Sequence, residues 1–395
     1  MSDSELERIR QLLSKAQTYL KARQFETVLQ LADQAIARIE KVMGISRDAS
    51  GNYVTSDDAP AEIDSGYTEE HVNALELRGM ALRHLGRLQE SVEALMMAVG
   101  LRRSVAEGES LPSNDLAVAL HNLGNALLMI ATAQSLRAAL DAYAEAIAIR
   151  EKLMKTPGHG HVANDLAGTY KARANVEGLR ARKGMPHDFA QAESDLRRAL
   201  DLRKRLVDVD GRKELAGALA MTKYSLGDLL GMQFKFGDAV ALLSEAVATM
   251  RSLVAAGQRH LRDDLALCLS ARVLYGIGAA ETICGQTWPI EAALECAALY
   301  GELIAEGRAD QLAAFGEFVS QRAMPCLFKS GKKDLAAQCL AQALKVVLDQ
   351  AEATGLDAFT QTGALMLALP APVKAELRRA STALDAQVTR LERKL

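Results

Sequence analysis

The sequence predicts an all-α fold, a solenoid of stacked antiparallel helix pairs. Three observations carry that expectation: a short string that returns about every 50 residues, a second string of alanines and bulky apolar residues at helical spacing, and no period-two alternation of β-branched residues. The first string is acidic-Leu-Ala. It occurs at Asp115-Leu116-Ala117, Asp165-Leu166-Ala167, Glu214-Leu215-Ala216 and Asp264-Leu265-Ala266, with leucines 50, 49 and 50 residues apart by subtraction of those positions. A weaker copy, Gln311-Leu312-Ala313, follows 47 residues later. An acidic group beside the first turn is favoured by the helix dipole, so each string marks a helix start.

The second string falls 23 to 27 residues after each leucine and places three residues on one helical stripe. It reads Ala139-Tyr143-Ala146, Ala192-Leu196-Ala199, Ala239-Leu243-Ala246 and Ala336-Leu340-Ala343, with a degenerate copy around Ala292 and Cys296. Earlier copies are Val28-Ala32-Ala35 and Ser91-Leu95-Ala98. Alanines on such a stripe let a neighbouring helix approach closely. Each unit is therefore two antiparallel helices joined by a turn often marked by glycine, as at Gly86, Gly184 and Gly331. Pro60, Pro112, Pro157, Pro186, Pro370 and Pro372 fall at expected boundaries, where a missing N–H costs little. Pro289 is expected in an inter-helix turn, and Pro325 inside a helix that it should kink. No sheet is expected.

Composition fits a helical body with a large core. Of the 395 residues 49% are hydrophobic and 25% charged, while aromatics are only 4%. A formal charge of −3 argues against a general polyanion binder, so no nucleic-acid partner is expected. Cys268, Cys284, Cys296, Cys326 and Cys339 lie at no ligand-like spacing and read as buried thiols of a reducing compartment. The N-terminus is acidic, without the apolar run of a signal peptide, and no stretch approaches the ~18 apolar residues of a membrane span. The expectation is a cytoplasmic protein with no membrane partner.

The units resemble the tetratricopeptide repeat. Ala74-Leu75-Glu76-Leu77-Arg78-Gly79-Met80-Ala81-Leu82, with Gly86, Ala94-Leu95 and Ala98 after it, carries that pattern of small residues and turn glycine. Asn122-Leu123-Gly124-Asn125-Ala126-Leu127, then Ala139, Tyr143 and Ala146, is the best copy. The trailing residues 146–153 and 199–206 look like kinesin-light-chain-type long repeats. The likeness covers roughly residues 6–43 and 71–350. A period of about 50 instead of ~34 means longer helices or loops. The resemblance implies a right-handed α-α superhelix of about seven helix pairs whose first helices line a concave groove that holds an extended peptide or helix. The expected organisation is a helix pair over 1–43, an acidic loop over 44–70, the array over 71–355 and capping helices over 356–395.

Two regions depart from the repeat. Residues 44–70 carry seven acidic side chains against one arginine and read as a solvated linker, with an acidic docking strip as the second reading. The C-terminal stripe Val373, Leu377, Ala380, Leu384, Val388, Leu391 and Leu395 suits a helix capping the open end of the array. A weak homodimer through this helix is the alternative.

Chemistry has little support. His159-Gly160-His161 with Asp165 lacks the third or fourth ligand of a zinc site, and its glycines suit a loop. His84, His121 and His187 stand alone. Gly276-Ile277-Gly278 lacks the third glycine of a nucleotide fingerprint, and no phosphate-cradling, serine-elbow or metalloprotease motif occurs. Trp288-Pro289 reads as a turn anchor. No cofactor, no metal and no catalysis are expected. The groove candidates are polar residues of first helices: His121, Asn122 and Asn125, then Arg173 and Asn175, then Tyr224 and Asp228. Mid-helix asparagine is disfavoured by propensity, and its amide can pair with both the N–H and the C=O of a partner backbone. The chaperone-binding subset of tetratricopeptide proteins uses a lysine-rich carboxylate clamp. Near the corresponding face this chain has Asn73, Glu76, Met80 and Arg83, so no such clamp is visible. The basic residues Arg197, Arg198, Arg203, Lys204 and Arg205 read as a solvated convex face, with an acidic partner as the alternative. The leading function is a non-enzymatic scaffold that holds a protein or peptide partner. The second is a ligand-responsive regulator whose superhelix changes shape on binding.

Overall fold

A computed structural model describes residues 2–47, 53–55, 65–106, 113–156, 158, 160–280, 288–308, 311–318 and 381–392, with isolated positions between 322 and 379. Its helices are α1 Ser2–Lys21, α2 Phe25–Met43, α3 Ser65–His84, α4 Leu88–Ala106, α5 Asn114–Ile130, α6 Ala133–Met154, α7 Ala163–Arg182, α8 Phe189–Asp208, α9 Ala216–Met232, α10 Phe236–Ala255, α11 Arg262–Ala280, α12 Trp288–Ala305, α13 Leu312–Phe318 and α14 Thr382–Glu392. They form the expected all-α repeat of antiparallel pairs. The chain divides into two compact units, residues 1–202 and 203–395, with the division inside α8.

The helix starts fall where the acidic strings place them. Ser113 caps α5 by accepting from the Asp115 N–H, and Asp115 lies in the first turn. Asp165 and Asp264 occupy the first turns of α7 and α11. Glu214 sits one step earlier, in a 3₁₀ turn over Lys213–Leu215 that leads into α9. Similar 3₁₀ turns, Gly160–Val162 and Arg259–Leu261, precede α7 and α11. These turns, with second helices such as α6 of 22 residues and α10 of 20 residues, account for the long period. Thr132 and Ser135 form a reciprocal capping box at the start of α6.

The second string is the inner stripe of each pair. Ala139, Tyr143 and Ala146 are fully buried, as are Ala239, Leu243 and Ala246. The stripe at Ala336, Leu340 and Ala343 lies outside the described residues. Opposite the stripe stand glycines of the first helices. A Cβ on Gly124 would lie 2.5 Å from the Tyr143 ring, one on Gly79 2.5 Å from Leu95 Cγ, and one on Gly227 2.8 Å from Leu243 Cγ. In these three pairs a bulky side chain of the second helix thus lies directly on the backbone of the first.

Buried arginines bond threonines of the helix that follows. Arg150 of α6 donates to Thr169 Oγ1 of α7, and to Asn114 Oδ1 at 3.0 Å. Arg203 of α8 repeats the contact on α9, donating to Thr222 Oγ1 at 2.7 Å and to the Ala218 carbonyl at 3.2 Å. Both threonines also donate to the carbonyl four residues back, at 2.9 Å. Of the basic run read as a solvated face, Arg197, Arg198, Lys204 and Arg205 are exposed, and Arg203 alone departs from that reading by being buried. Linear charge density does not report which side of a helix an arginine occupies.

Three further expectations are corrected. Ile45–Arg47 and Tyr53–Thr55 form a two-stranded antiparallel ribbon with Ile45 opposite Thr55, where the sequence predicts no sheet. Three residues per strand are too few for alternation to register. Residues 65–70, expected at the end of a loop, form the first turns of α3. Pro289 is the second residue of α12, where its missing N–H is one the helix end leaves unpaired in any case. Pro325 and the side chain of Trp288 lie outside what is described.

In the second unit, Val388 of α14 is buried in the same apolar cluster as Tyr300, Phe315 and Phe318. Gly124→Ala is expected to lower stability by about 1–3 kcal/mol through overpacking against Tyr143, seen as an earlier midpoint in a urea melt. Thr222→Val, which keeps the shape but removes the acceptor of a buried arginine, is expected to lower it by about 1–3 kcal/mol in the same assay.

Candidate functional site

In the first unit, successive first helices touch one another: α1 meets α3, α3 meets α5 and α5 meets α7. Second helices stand further apart, with the Arg103–Glu145 ion pair, 2.6 Å, reaching across from α4 to α6. The row α3, α5, α7 is therefore the closely spaced side of the stack, and its outward polar residues form the candidate partner face.

Helix α5 has two faces with different uses. Leu120, Leu123 and Leu127 floor a cavity of about 320 Å³ whose walls are Met96 and Val99 of α4 and Ala138 and Ala142 of α6. His121, Asn122 and Asn125 lie on the other face, since at ~100° per residue the centres of the two triplets differ by about 180°. The cavity therefore belongs to the second-helix side, and the polar triplet to the row of first helices.

The seven groove candidates separate once their partners are known. His121 is half-buried, with Nδ1 3.1 Å from Thr169 Oγ1 and its ring 5.6 Å from the Tyr143 ring. Burial, reinforced by Arg150, Arg83 and Lys171, depresses its pKa to about 4, so the ring is neutral at neutral pH. Asn125 accepts the Tyr143 hydroxyl at 2.8 Å. Asn122 is half-buried and makes no side-chain hydrogen bond among the described residues. Arg173 holds the fully buried Asp195 through two bonds of 2.7 and 2.8 Å, and Gln191 adds a third at 2.8 Å. Asn175 is exposed.

Tyr224 and Asp228 belong to the second unit. Tyr224 packs against its apolar cluster, and Asp228 accepts the Tyr275 hydroxyl at 2.8 Å. Sequence periodicity brought together residues of one helical face. It could not distinguish polar side chains open to solvent from those held by a tyrosine or an aspartate of another helix.

Other singled-out residues have local roles. His84 stacks on Phe25 with ring centroids 4.2 Å apart, and His161 Nδ1 lies 3.4 Å from the Gly158 carbonyl; His159 is outside the described residues. Glu76 lies 3.6 Å from Arg102, and burial outweighs that charge, pushing its carboxyl up to about 7. Two residues the sequence did not mark are Arg83, considered only against the lysine-rich clamp, and Lys171. Their signal would have been basic residues at outward positions of successive first helices. Among the described residues no helix is long and apolar enough to cross a membrane.

No protein-family model matches the sequence, and a comparison with curated proteins finds no match. Solved structures similar to it include the Q17M form of a putative kinesin light chain of Podosopora anserina with nearly identical TPR-like repeats. That protein is 16% identical over 63% of this chain and 98% of its own, with a TM-score of 0.38. BtubC (BKLC) from P. vanneervenii is 17% identical over 64% and 89%, with a TM-score of 0.43. A Rap protein complexed with competence and sporulation factor is 12% identical over 98% and 99%, with a TM-score of 0.47. The repeat assignment stands on the chain's own geometry: the glycine-backed stripe, the helix pairing and the row of touching first helices. That geometry shows a helix-pair repeat, which resembles the tetratricopeptide unit.

The depressed His121 pKa has a defined sign. A group whose folded pKa lies below its unfolded value contributes stability above the unfolded pKa of 6.5, and this is lost as pH falls towards about 4. His121→Gln keeps a hydrogen-bonding side chain beside Thr169 but cannot titrate. Thermal melts from pH 7 to about pH 4 are expected to show the native chain losing midpoint faster than the variant. Parallel curves would count against a neutral buried ring.

Proposed function

We propose that this chain is a non-enzymatic interaction scaffold that holds an extended peptide or a helix of a partner protein along the row α3, α5, α7. The observation that carries the reading is the pair Asn122 and Asn175, which present side-chain amides on neighbouring first helices with no hydrogen-bond partner among the described residues. The amide NH₂ of Asn125 adds a donor beside them, since only its oxygen is used by Tyr143. Such amides can satisfy a peptide backbone without reading its side chains, which suits tolerant recognition. The arginines and threonines beneath them are committed to joining the repeats, so the row is a rigid support for a bound strand or helix.

The test is a displayed peptide library panned on the full chain, followed by affinity measurement on the selected peptides. The double variant Asn122→Ala, Asn175→Ala is expected to bind about tenfold or more weakly, the loss of one or two good hydrogen bonds. Its melting midpoint is expected to stay unchanged, because neither amide supports the fold. Equal affinity for the variant would place the partner elsewhere.

A further inference from the structure

The cavity on the second-helix side of α5 is a groove with its own chemistry. It runs from residue 96 to 103 on α4, from 120 to 127 on α5 and from 138 to 145 on α6. Such a run on each helix corresponds to about 10 Å, or two turns. Leucines of α5 make the floor, and the volume of about 320 Å³ lies at the small end of natural ligand pockets. The mouth is open. Met96, which lines the same cavity from α4, is 59% exposed. Methionine suits a contact surface, because its unbranched thioether adapts to the shape laid on it.

The rim is charged, and the charges do not cancel. Arg103 and Glu145 pair with each other at 2.6 Å, joining α4 to α6 at one end of the groove. Asp141, one turn before Glu145, also lines the cavity; it is exposed and has no hydrogen bond or ion pair among the described residues. Arg137, a further turn back, is exposed, stands outside the cavity lining and forms no ion pair with Asp141. The lining therefore carries two carboxylates against one guanidinium, and the uncompensated charge is negative.

We propose that this groove is a second interaction surface, apart from the amide row. It takes two turns of an amphipathic helix of a partner protein, whose apolar residues fill it and whose lysine or arginine pairs with Asp141. An apolar set at i, i+3 or i+4, and i+7 on a helix spans the same length as the groove, about 10 Å. Covering the mouth takes Met96 and the leucine floor out of water, and that burial supplies the attraction. Asp141 selects the sign, because a carboxylate on the incoming helix would be repelled by it.

The test uses the full chain and two displayed libraries built on an alanine-rich helical frame. One stripe of the frame is randomised among Leu, Ile, Met and Phe, and the flanking positions are Lys or Arg in one library and Asp or Glu in the other. The basic library is expected to be recovered about fivefold better, near the upper end for an exposed ion pair, and the advantage should shrink between about 0.05 and about 0.5 M salt. Asp141→Asn should remove most of that advantage. Ala138→Phe, which fills the groove from the α6 wall, should lower recovery of both libraries about tenfold, and Met96→Ala, a change at an exposed side chain, about threefold. Melting midpoints confirm that the variants fold. The double variant Asn122→Ala, Asn175→Ala should change nothing, because those amides lie on the row of first helices. Recovery that falls in the asparagine variant and survives Ala138→Phe and Met96→Ala would overturn the groove and leave the amide row as the helix-binding face. Equal recovery of the two libraries, still lost in Ala138→Phe, would overturn the choice of a basic partner. Recovery of neither library would overturn the groove as a docking surface without touching the amide row, which its own peptide selection tests.

Discussion

Everything else in the molecule depends on how closely the two helices of a pair approach. A side chain as large as Tyr143 or Leu243 is fully buried only because the facing position, Gly124 or Gly227, has no Cβ. That contact sets the separation of the pair and the direction of its outer faces. A pair so made still has apolar surface on its other sides, and stacking on the next pair is what removes it from water. The alanines at 0% exposure along each stripe, such as Ala139 and Ala146, are the residues that make the stacking tight.

Stacking by apolar contact alone is tolerant of rotation and slip. The arginine ties remove that freedom. Arg150 and Arg203 each place a planar group with fixed donor directions against a threonine of the next first helix, and each threonine is itself held by its own helix backbone. A buried guanidinium that loses an acceptor is costly, so the Arg150 tie favours one relative placement of α6 and α7 in the first unit. The rigid row of first helices that results is what suits a polar face on α3, α5 and α7 to recognition.

That face is built by subtraction. Of the polar residues that share it, His121 is turned to Thr169, the oxygen of Asn125 to Tyr143 and Arg173 to Asp195. What remains outward is Asn122, Asn175 and the NH₂ of Asn125. Burial of the neighbouring polar groups fixes the backbone beneath these few donors.

The sequence by itself determined the fold class and its phase. Helix starts at Asp115, Asp165 and Asp264 follow from dipole and capping chemistry, and the buried stripes follow from 3.6-residue periodicity, both local properties. It placed His121, Asn122 and Asn125 on one face for the same reason. Only the tertiary structure decided which of those residues are available. Whether Asn125 is free depends on Tyr143, 18 residues away, and whether Arg203 is solvated depends on Thr222, 19 residues away across a turn. Periodicity describes one helix at a time, whereas the partner of a buried polar group is chosen by the helix packed against it.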